Sequence, residues 1–175
     1  MDQVRLGFIK MEDLPVRANC FDASALVKVF SDEEGSEFIR EFFHNHASTR
    51  YTTPFCFYEA LSVLKVKWLY RKEITESRYR ESAFQLTAWY ASSLTSTKDI
   101  DFYDPIVFNR VRMLAEKFLI DLSDAFQIES VMNGYFSHLI DESSTLLVTA
   151  DKNLAEVARK EGIKAWYFLT EAIPI

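Results

Sequence analysis

Along this chain the spacing of apolar positions switches repeatedly between a continuous or alternating run and a helical repeat, and each switch marks an element. The first clear case is Arg17–Phe30, RANCFDASALVKVF. A short, mostly apolar run meets an acid at Asp22, small residues follow, and apolar positions then recur at helical spacing at Ala25, Leu26, Val29 and Phe30. This predicts a buried strand handing over to a helix. The cluster Asp32-Glu33-Glu34-Gly35 interrupts the pattern, and a second helix with an apolar face of Phe38, Ile39, Phe42 and Phe43 follows. Thr49–Thr53 reads as a short extended piece. Thr53-Pro54 then supplies an N-cap with proline at the first helical position. The helix it opens runs through FCFYEALSVLKVKWLY, apolar at Phe57, Ala60, Leu61, Leu64, Trp68 and Leu69. Arg71–Leu94 is helical again, as one long helix or as the second arm of a hairpin, with Tyr79, Ala83, Leu86 and Tyr90 near one stripe.

Further on, KDIDFY (Lys98–Tyr103) alternates and predicts a strand closed by Asp104-Pro105. A helix runs from Pro105 to about Leu119, with Val107, Val111, Leu114, Ala115 and Phe118 inward. DLSDAFQIESVMNGY predicts a separate helix starting near Ser123 and stopping at Gly134. TLLVTA (Thr145–Ala150) is a continuous apolar run suited to a sheet covered on both faces. A short helix over Asn153–Lys160 and a last strand over Ile163–Leu169 complete the order. Strands alternating with helices predict a three-layer α/β/α fold with a mainly parallel central sheet. There is no internal repeat, low-complexity tract or linker, so residues 1–175 are expected to form a single domain. Residues 1–15 would be an N-terminal extension and residues 71–98 an enlarged helical region.

Composition narrows the class. At 175 residues, 49% hydrophobic and 15% aromatic, the chain is long enough and apolar enough to bury a real core. No apolar run reaches membrane-spanning length and no signal peptide is present, so a soluble, cytoplasmic protein with no membrane partner is expected. Cys20 and Cys56 both lie in apolar runs, which suggests buried thiols in a reducing compartment; without a CxxC pair or clustered histidines they do not suggest a metal site. His44, His46 and His138 have no companions at ligand spacing and receive no role. The net charge of −6 argues against a non-specific nucleic-acid binder with a basic surface. It is compatible with a site made of acids that recruits divalent cations.

Such acids are present. Asp22 and Asp151 each follow a predicted strand and precede a helix; Glu59 stands in the second turn of the helix opened by Thr53-Pro54, and Asp124 in the first turn of its own. Each has a plain reading as a helix-capping or solvent-facing acid. In a parallel sheet, however, strand ends and the helix starts that follow them lie on one side, outside which ligands bind. Like charges at about 4 Å cost on the order of 4 kcal/mol per pair at an effective dielectric near 20. A cluster of this kind is stable when protonated or when it holds hard cations. Oxygen-only ligands select Mg²⁺ or Mn²⁺ over zinc. With Ser24 and Thr149 as hydroxyl neighbours and no histidine base, the chemistry suggested is metal-assisted phosphodiester hydrolysis.

The chain resembles the PIN-domain ribonucleases, and most closely the VapC-type toxins of prokaryotic toxin–antitoxin pairs. The resemblance covers nearly everything from Asn19 to Phe168 and rests on four signatures in order: FDASALVKVF, TTPFCFYEALSVL, LSDAFQIESV and LLVTADKNLAEVARKEGI. It implies that Asp22, Glu59, Asp124 and Asp151 are the catalytic acids and bind Mg²⁺ or Mn²⁺. It also implies supporting roles for Ser24 and Thr149. Asp121, about one turn before Asp124, could compete as a ligand or simply favour the helix start. The substrate implied is RNA, cut by an endoribonuclease acting as the toxin of a toxin–antitoxin pair. An antitoxin protein and a second copy in a homodimer are the partners the resemblance suggests. The basic run Lys65, Lys67, Arg71, Lys72, Arg78, Arg80 reads as a solvated helix face or as phosphate contacts, and the stripe Phe84, Trp89, Tyr90 as core or as a seat for a partner. A haloacid-dehalogenase-like phosphatase would need a second aspartate where Ser24 stands. A response-regulator receiver would need an adjacent acidic pair and a late lysine that are not here. The non-enzymatic alternative is a PIN-like RNA- or protein-binding scaffold that has lost cleavage.

Overall fold

The computed structural model describes residues 18–45, 48–93, 100–101, 103–137 and 145–173. At its centre is β1 (Ala18–Phe21), every residue of which is buried. It pairs in parallel with β2 (Thr49–Tyr51) on one side and β3 (Thr145–Thr149) on the other, and β4 (Ala165–Tyr167) pairs in parallel with β3. The order across the sheet is β2-β1-β3-β4. The connection from β1 therefore runs to one side and that from β3 to the other. The carboxyl ends of β1 and β3 flank the topological switch point, where an open α/β sheet leaves a crevice.

The two-residue period of the strands divides the core into two layers. Phe21, Leu146, Val148 and Trp166 face one layer; Ala18, Cys20, Leu147 and Ala165 face the other. The first layer is built from α1 (Ala23–Phe30), α2 (Ser36–Asn45), α3 (Pro54–Leu69) and α4 (Glu76–Ser93). The second is built from α5 (Pro105–Phe118), α6 (Leu122–Asn133) and α7 (Lys152–Lys160). Among the described residues the fold is thus a three-layer α/β/α arrangement of seven helices about an all-parallel four-stranded sheet, as the pattern predicts. No described helix is long and apolar enough to cross a membrane.

Aromatic side chains fill the first layer. Phe42 meets Trp166 edge-on at 4.7 Å, Phe21 meets Phe43 at 5.0 Å, and Phe57 stacks on Tyr90 at 4.1 Å. Each fully buried side chain of this size contributes roughly 1.5–3 kcal/mol relative to an exposed one. The helix α4 packs back on α3, so the 71–98 region is a hairpin arm rather than a continuation. Its buried stripe is Ser82, Leu86 and Tyr90, at four-residue spacing, with Tyr79 and Trp89 partly buried beside it. Ser82 thus takes the inward place expected of Ala83, and Phe84 points to solvent. The last strand is shorter than the apolar run that announced it, because residues 168–170 turn away so that Trp166 Nε1 donates to the Glu171 carbonyl at 3.0 Å. Most of the strand expected over residues 98–103, the N-terminal extension and the histidines His46 and His138 lie outside the described residues. Ile100, Asp101 and Tyr103, which are described, are not in a strand.

Cap chemistry sets the helix starts. Thr53 accepts from the Cys56 amide at 3.2 Å, with Pro54 at the first helical position, and Asp104 accepts from the Ile106 amide at 2.8 Å. The end of α5 is less comfortable: Leu119 adopts φ 54°, ψ 44° and is 90% exposed. A β-carbon in the left-handed region costs about 1–2 kcal/mol, which glycine avoids. Leu119→Gly is therefore expected to raise stability by about 0.5–1 kcal/mol, read as a higher urea midpoint with an unchanged m-value.

Candidate functional site

The backbone of β1 ends where Asp22 N–H donates to the Val148 carbonyl at 3.1 Å, which carries the β1–β3 ladder to the switch point. Asp22 is the N-cap of α1, its Oδ1 accepting from the Ala25 amide at 2.7 Å. The same carboxylate accepts from the Ser24 hydroxyl at 2.7 Å and, through Oδ2, from the Thr149 hydroxyl at 2.5 Å. The Ser24 oxygen in turn accepts from the Ala150 amide at 2.8 Å, and the Thr149 oxygen accepts from the Asp151 amide at 2.8 Å. Ser24 thus does not cap α1, as its place in the sequence suggests. It is a tie between the first turn after β1 and the first turn after β3. Asp151 caps α7, its Oδ1 accepting from the Leu154 amide at 3.0 Å, and its side chain is exposed.

The other acids reach this rim on helix starts. Asp124 lies in the first turn of α6, partly buried. Glu59 lies in the second turn of α3, exposed at its tip, and takes a hydrogen bond from the Ser123 hydroxyl on α6. Asp121 occupies the N-cap position of α6 but makes no side-chain capping bond, which leaves its carboxylate exposed.

Burial and mutual repulsion dominate the electrostatics. Burial pushes the Asp22 carboxyl up to about 6 despite its hydrogen bonds to Thr149, Ala25 and Ser24, and the charge of Asp151 pushes the same way. Asp124 is pushed up to about 7, first by burial and then by the charges of Asp22, Asp151, Glu59 and Asp121. Burial also raises Glu59, as does Asp121, while the Ser123 hydrogen bond opposes the shift. The carboxylates expected to converge therefore do share one electrostatic field, with Asp124 as the member that feels all the others. They are not clamped on one point: no three His, Cys, Asp or Glu among the described residues form a closed metal-holding group. The donors at the rim are all oxygen atoms of carboxylates and hydroxyls, a set that suits hard cations.

Two features escaped the sequence reading. Ser123 positions Glu59, and beneath the acids Gln127 bonds to both buried cysteines. The Cys56 thiol donates to Gln127 Oε1 at 3.0 Å, and Gln127 Nε2 donates to Cys20 Sγ at 3.6 Å. Gln127 is one of three buried polar residues of α6, with Glu129 and Ser130, and only its place one turn after Asp124 sets it apart in the sequence. By contrast, much of the basic run is already paired: Lys67 with Glu33 and Glu73, Arg78 with Asp32 and Glu81, and Arg80 with Glu76. Of the aromatic stripe, Tyr90 is core and Phe84 is exposed, while Trp89 packs on Phe30 and Phe43.

The raised carboxyls fix the sign of the pH dependence. Asp22 and Asp124 bind protons more tightly in the folded chain than in the unfolded one. The stability they confer is complete below about pH 4 and is lost as pH rises through 6 and 7. Cation-free protein is thus expected to melt at a lower temperature at pH 8 than at pH 5. Asp124→Asn is expected to flatten that fall and to stabilise the chain at pH 8 by on the order of 1–2 kcal/mol, after discounting for solvent screening. Calorimetry in chelator across this range measures both effects.

The PIN domain family model matches residues 20–160 of the 175. No curated protein matches the chain at a significant level. The matched span runs from the second half of β1 to the end of α7 and includes the rim acids, and proteins of this family are generally nucleases. On that match and the three-layer parallel fold, the chain belongs to the PIN domain family.

Proposed function

We propose that this protein is a divalent-cation-dependent endoribonuclease, using Mg²⁺ or Mn²⁺, and that it serves as the toxin of a toxin–antitoxin pair. The observation that carries the reading is Asp124, a partly buried carboxyl raised to about 7 first by burial and then by four other acids around the carboxyl ends of the central strands. A family built on nuclease chemistry gives such a costly cluster a use. Asp22, Glu59, Asp124 and Asp151 would hold the cations, with Asp121 as a further ligand on the exposed side. When bound, divalent cations screen phosphate charge and lower the pKa of water, so that hydrolysis proceeds at neutral pH.

The chain's own residues account for the rest. Hydrogen bonds from Ser24, Thr149 and the Ala25 amide fix the Asp22 carboxylate in one orientation. Ser123 does the same for Glu59. Asp124, raised to about 7, still holds a proton part of the time at neutral pH, so a cation loading there would have to displace it. The rim residues named here are carboxylates and hydroxyls, so the cation itself would supply the attraction for phosphate. A cytoplasmic location, an antitoxin protein partner and a homodimer complete the proposal.

The test is cleavage of a mixed cellular RNA pool in Mn²⁺ by the wild type and by Asp124→Asn, which keeps shape and removes one ligand charge. Cleavage by the wild type that chelator abolishes, with at least a hundredfold loss in the variant, is the expected outcome. Equal cleavage by both proteins would overturn the assignment of the site. In the same assay Thr149→Val is expected to lose about tenfold or more, because Asp22 loses a charge-assisted hydrogen bond that orients it. Arrest of growth on expression, relieved by Asp124→Asn, is the outcome the toxin role requires.

A further inference from the structure

The carboxylates at the rim stand on elements far apart in sequence that repel one another through those charges. Asp22 follows β1, Glu59 is on α3 and Asp124 is on α6. One side chain reaches the ground beneath all of these positions. Gln127 is fully buried, three residues after Asp124 and so on the same side of α6. Its amide oxygen accepts from the thiol of Cys56, which lies three residues before Glu59 on α3. Its amide nitrogen donates to Cys20 Sγ, two residues before Asp22. The partners are 71 and 107 residues away along the chain. Cys20 and Cys56 form no disulfide, and the Gln127 amide bridges them. Besides its burial, Cys56 feels the charges of Asp22 and Glu59, so the thiol lies within range of both acids.

We propose that Gln127, held between the Cys56 and Cys20 thiols, is a positioning residue that sets the spacing of Asp22, Glu59 and Asp124. The proposal rests on the reading of these acids as cation ligands. A buried primary amide is costly to desolvate, and an apolar side chain would fill the same space between α3, α6 and β1 without that cost. What the apolar side chain lacks is direction. The amide accepts along one line and donates along another, so it fixes both the rotation of α6 and its distance from α3 and β1. A shift of half an ångström in that distance passes straight to the carboxylates one turn above, and sites of this kind tolerate little more. Thiols are weak hydrogen-bonding groups, so removing the amide leaves little unsatisfied polarity behind. The fold can therefore survive the change while the spacing does not.

The experiment measures Mn²⁺ affinity by calorimetry at pH 8, and the melting temperature in chelator, for the wild type, Gln127→Met, Cys56→Ala and Cys56→Ser. Methionine matches the length and volume of glutamine without its polar ends. Serine keeps a donor toward the Gln127 oxygen and alanine does not. The expected result is Mn²⁺ binding about tenfold weaker in Gln127→Met and Cys56→Ala, near wild-type in Cys56→Ser, and melting temperatures within a few degrees throughout. Wild-type affinity in Gln127→Met would overturn the proposal. So would affinities that merely track melting temperature, with Cys56→Ser as weak as Cys56→Ala. If Gln127→Met does not fold, the alanine–serine pair decides by the same criterion. Absence of Mn²⁺ binding by the wild type would instead refute the cation reading itself, and this proposal would fall with it.

Discussion

The hydrogen bond from Thr149 to the buried carboxylate of Asp22 is the constraint on which the rest of this structure turns. It joins the last residue of β3 to the first residue beyond β1, at the point where the chain's connections diverge to opposite sides of the sheet. A buried aspartate is expensive unless its oxygens are met by donors, and here two hydroxyls and an amide meet them. Two of those donors come from the first turn of α1 and one from the end of β3, so the acid is not fully satisfied until β1 and β3 are in register. Charge satisfaction and strand register are one requirement. The Ser24 link to the Ala150 amide repeats it one step further out.

Around that bond the protein sets repulsion against packing. Buried aromatic contacts in one layer and the aliphatic faces of α5, α6 and α7 in the other hold the helices against the sheet. The acids at their starts push outward. Many enzymes keep a site that the fold would be more stable without. Here the destabilising group can be named: Asp124, half sunk between four other carboxylates. The surface ion pairs along α3 and α4 do not offset it, since exposed pairs contribute little individually.

The sequence makes the architecture readable because its punctuation is strong. Thr53-Pro54, Asp104-Pro105 and Gly134 bound their helices within a residue or two, and TLLVTA has no other sensible reading than a doubly covered strand. The acids were legible as individuals, each at a strand end or helix start. Their meeting was inferred from the rule that such ends share one side of a parallel sheet, which is a statement about topology and not about any pair of residues. What stayed hidden depends on pairs. That Ser24 would bridge to Ala150 and not cap its own helix could not be read from Asp-Ala-Ser, which is an ordinary cap sequence. Ser82 took the buried place of Ala83 because the helical phase of α4 is set by its contact with α3. Gln127 and the cysteines were visible only as one polar residue among several on a mixed helix and two thiols in apolar runs; nothing local says that they touch.

The order of the strands has a consequence for when such a crevice can exist. Asp22 and Thr149 are separated by 127 residues, and β3 is the third strand to be synthesised although it lies at the centre of the sheet beside β1. Until it arrives, β1 has an open edge, the aspartate that follows it has no hydroxyl from across the sheet, and the first turn of α7 does not exist. A growing chain emerging among ribosomal RNA and messenger thus carries the early acids but not the arrangement that brings them together. The fold itself delays the assembly of its rim until β3 and the start of α7 have been made.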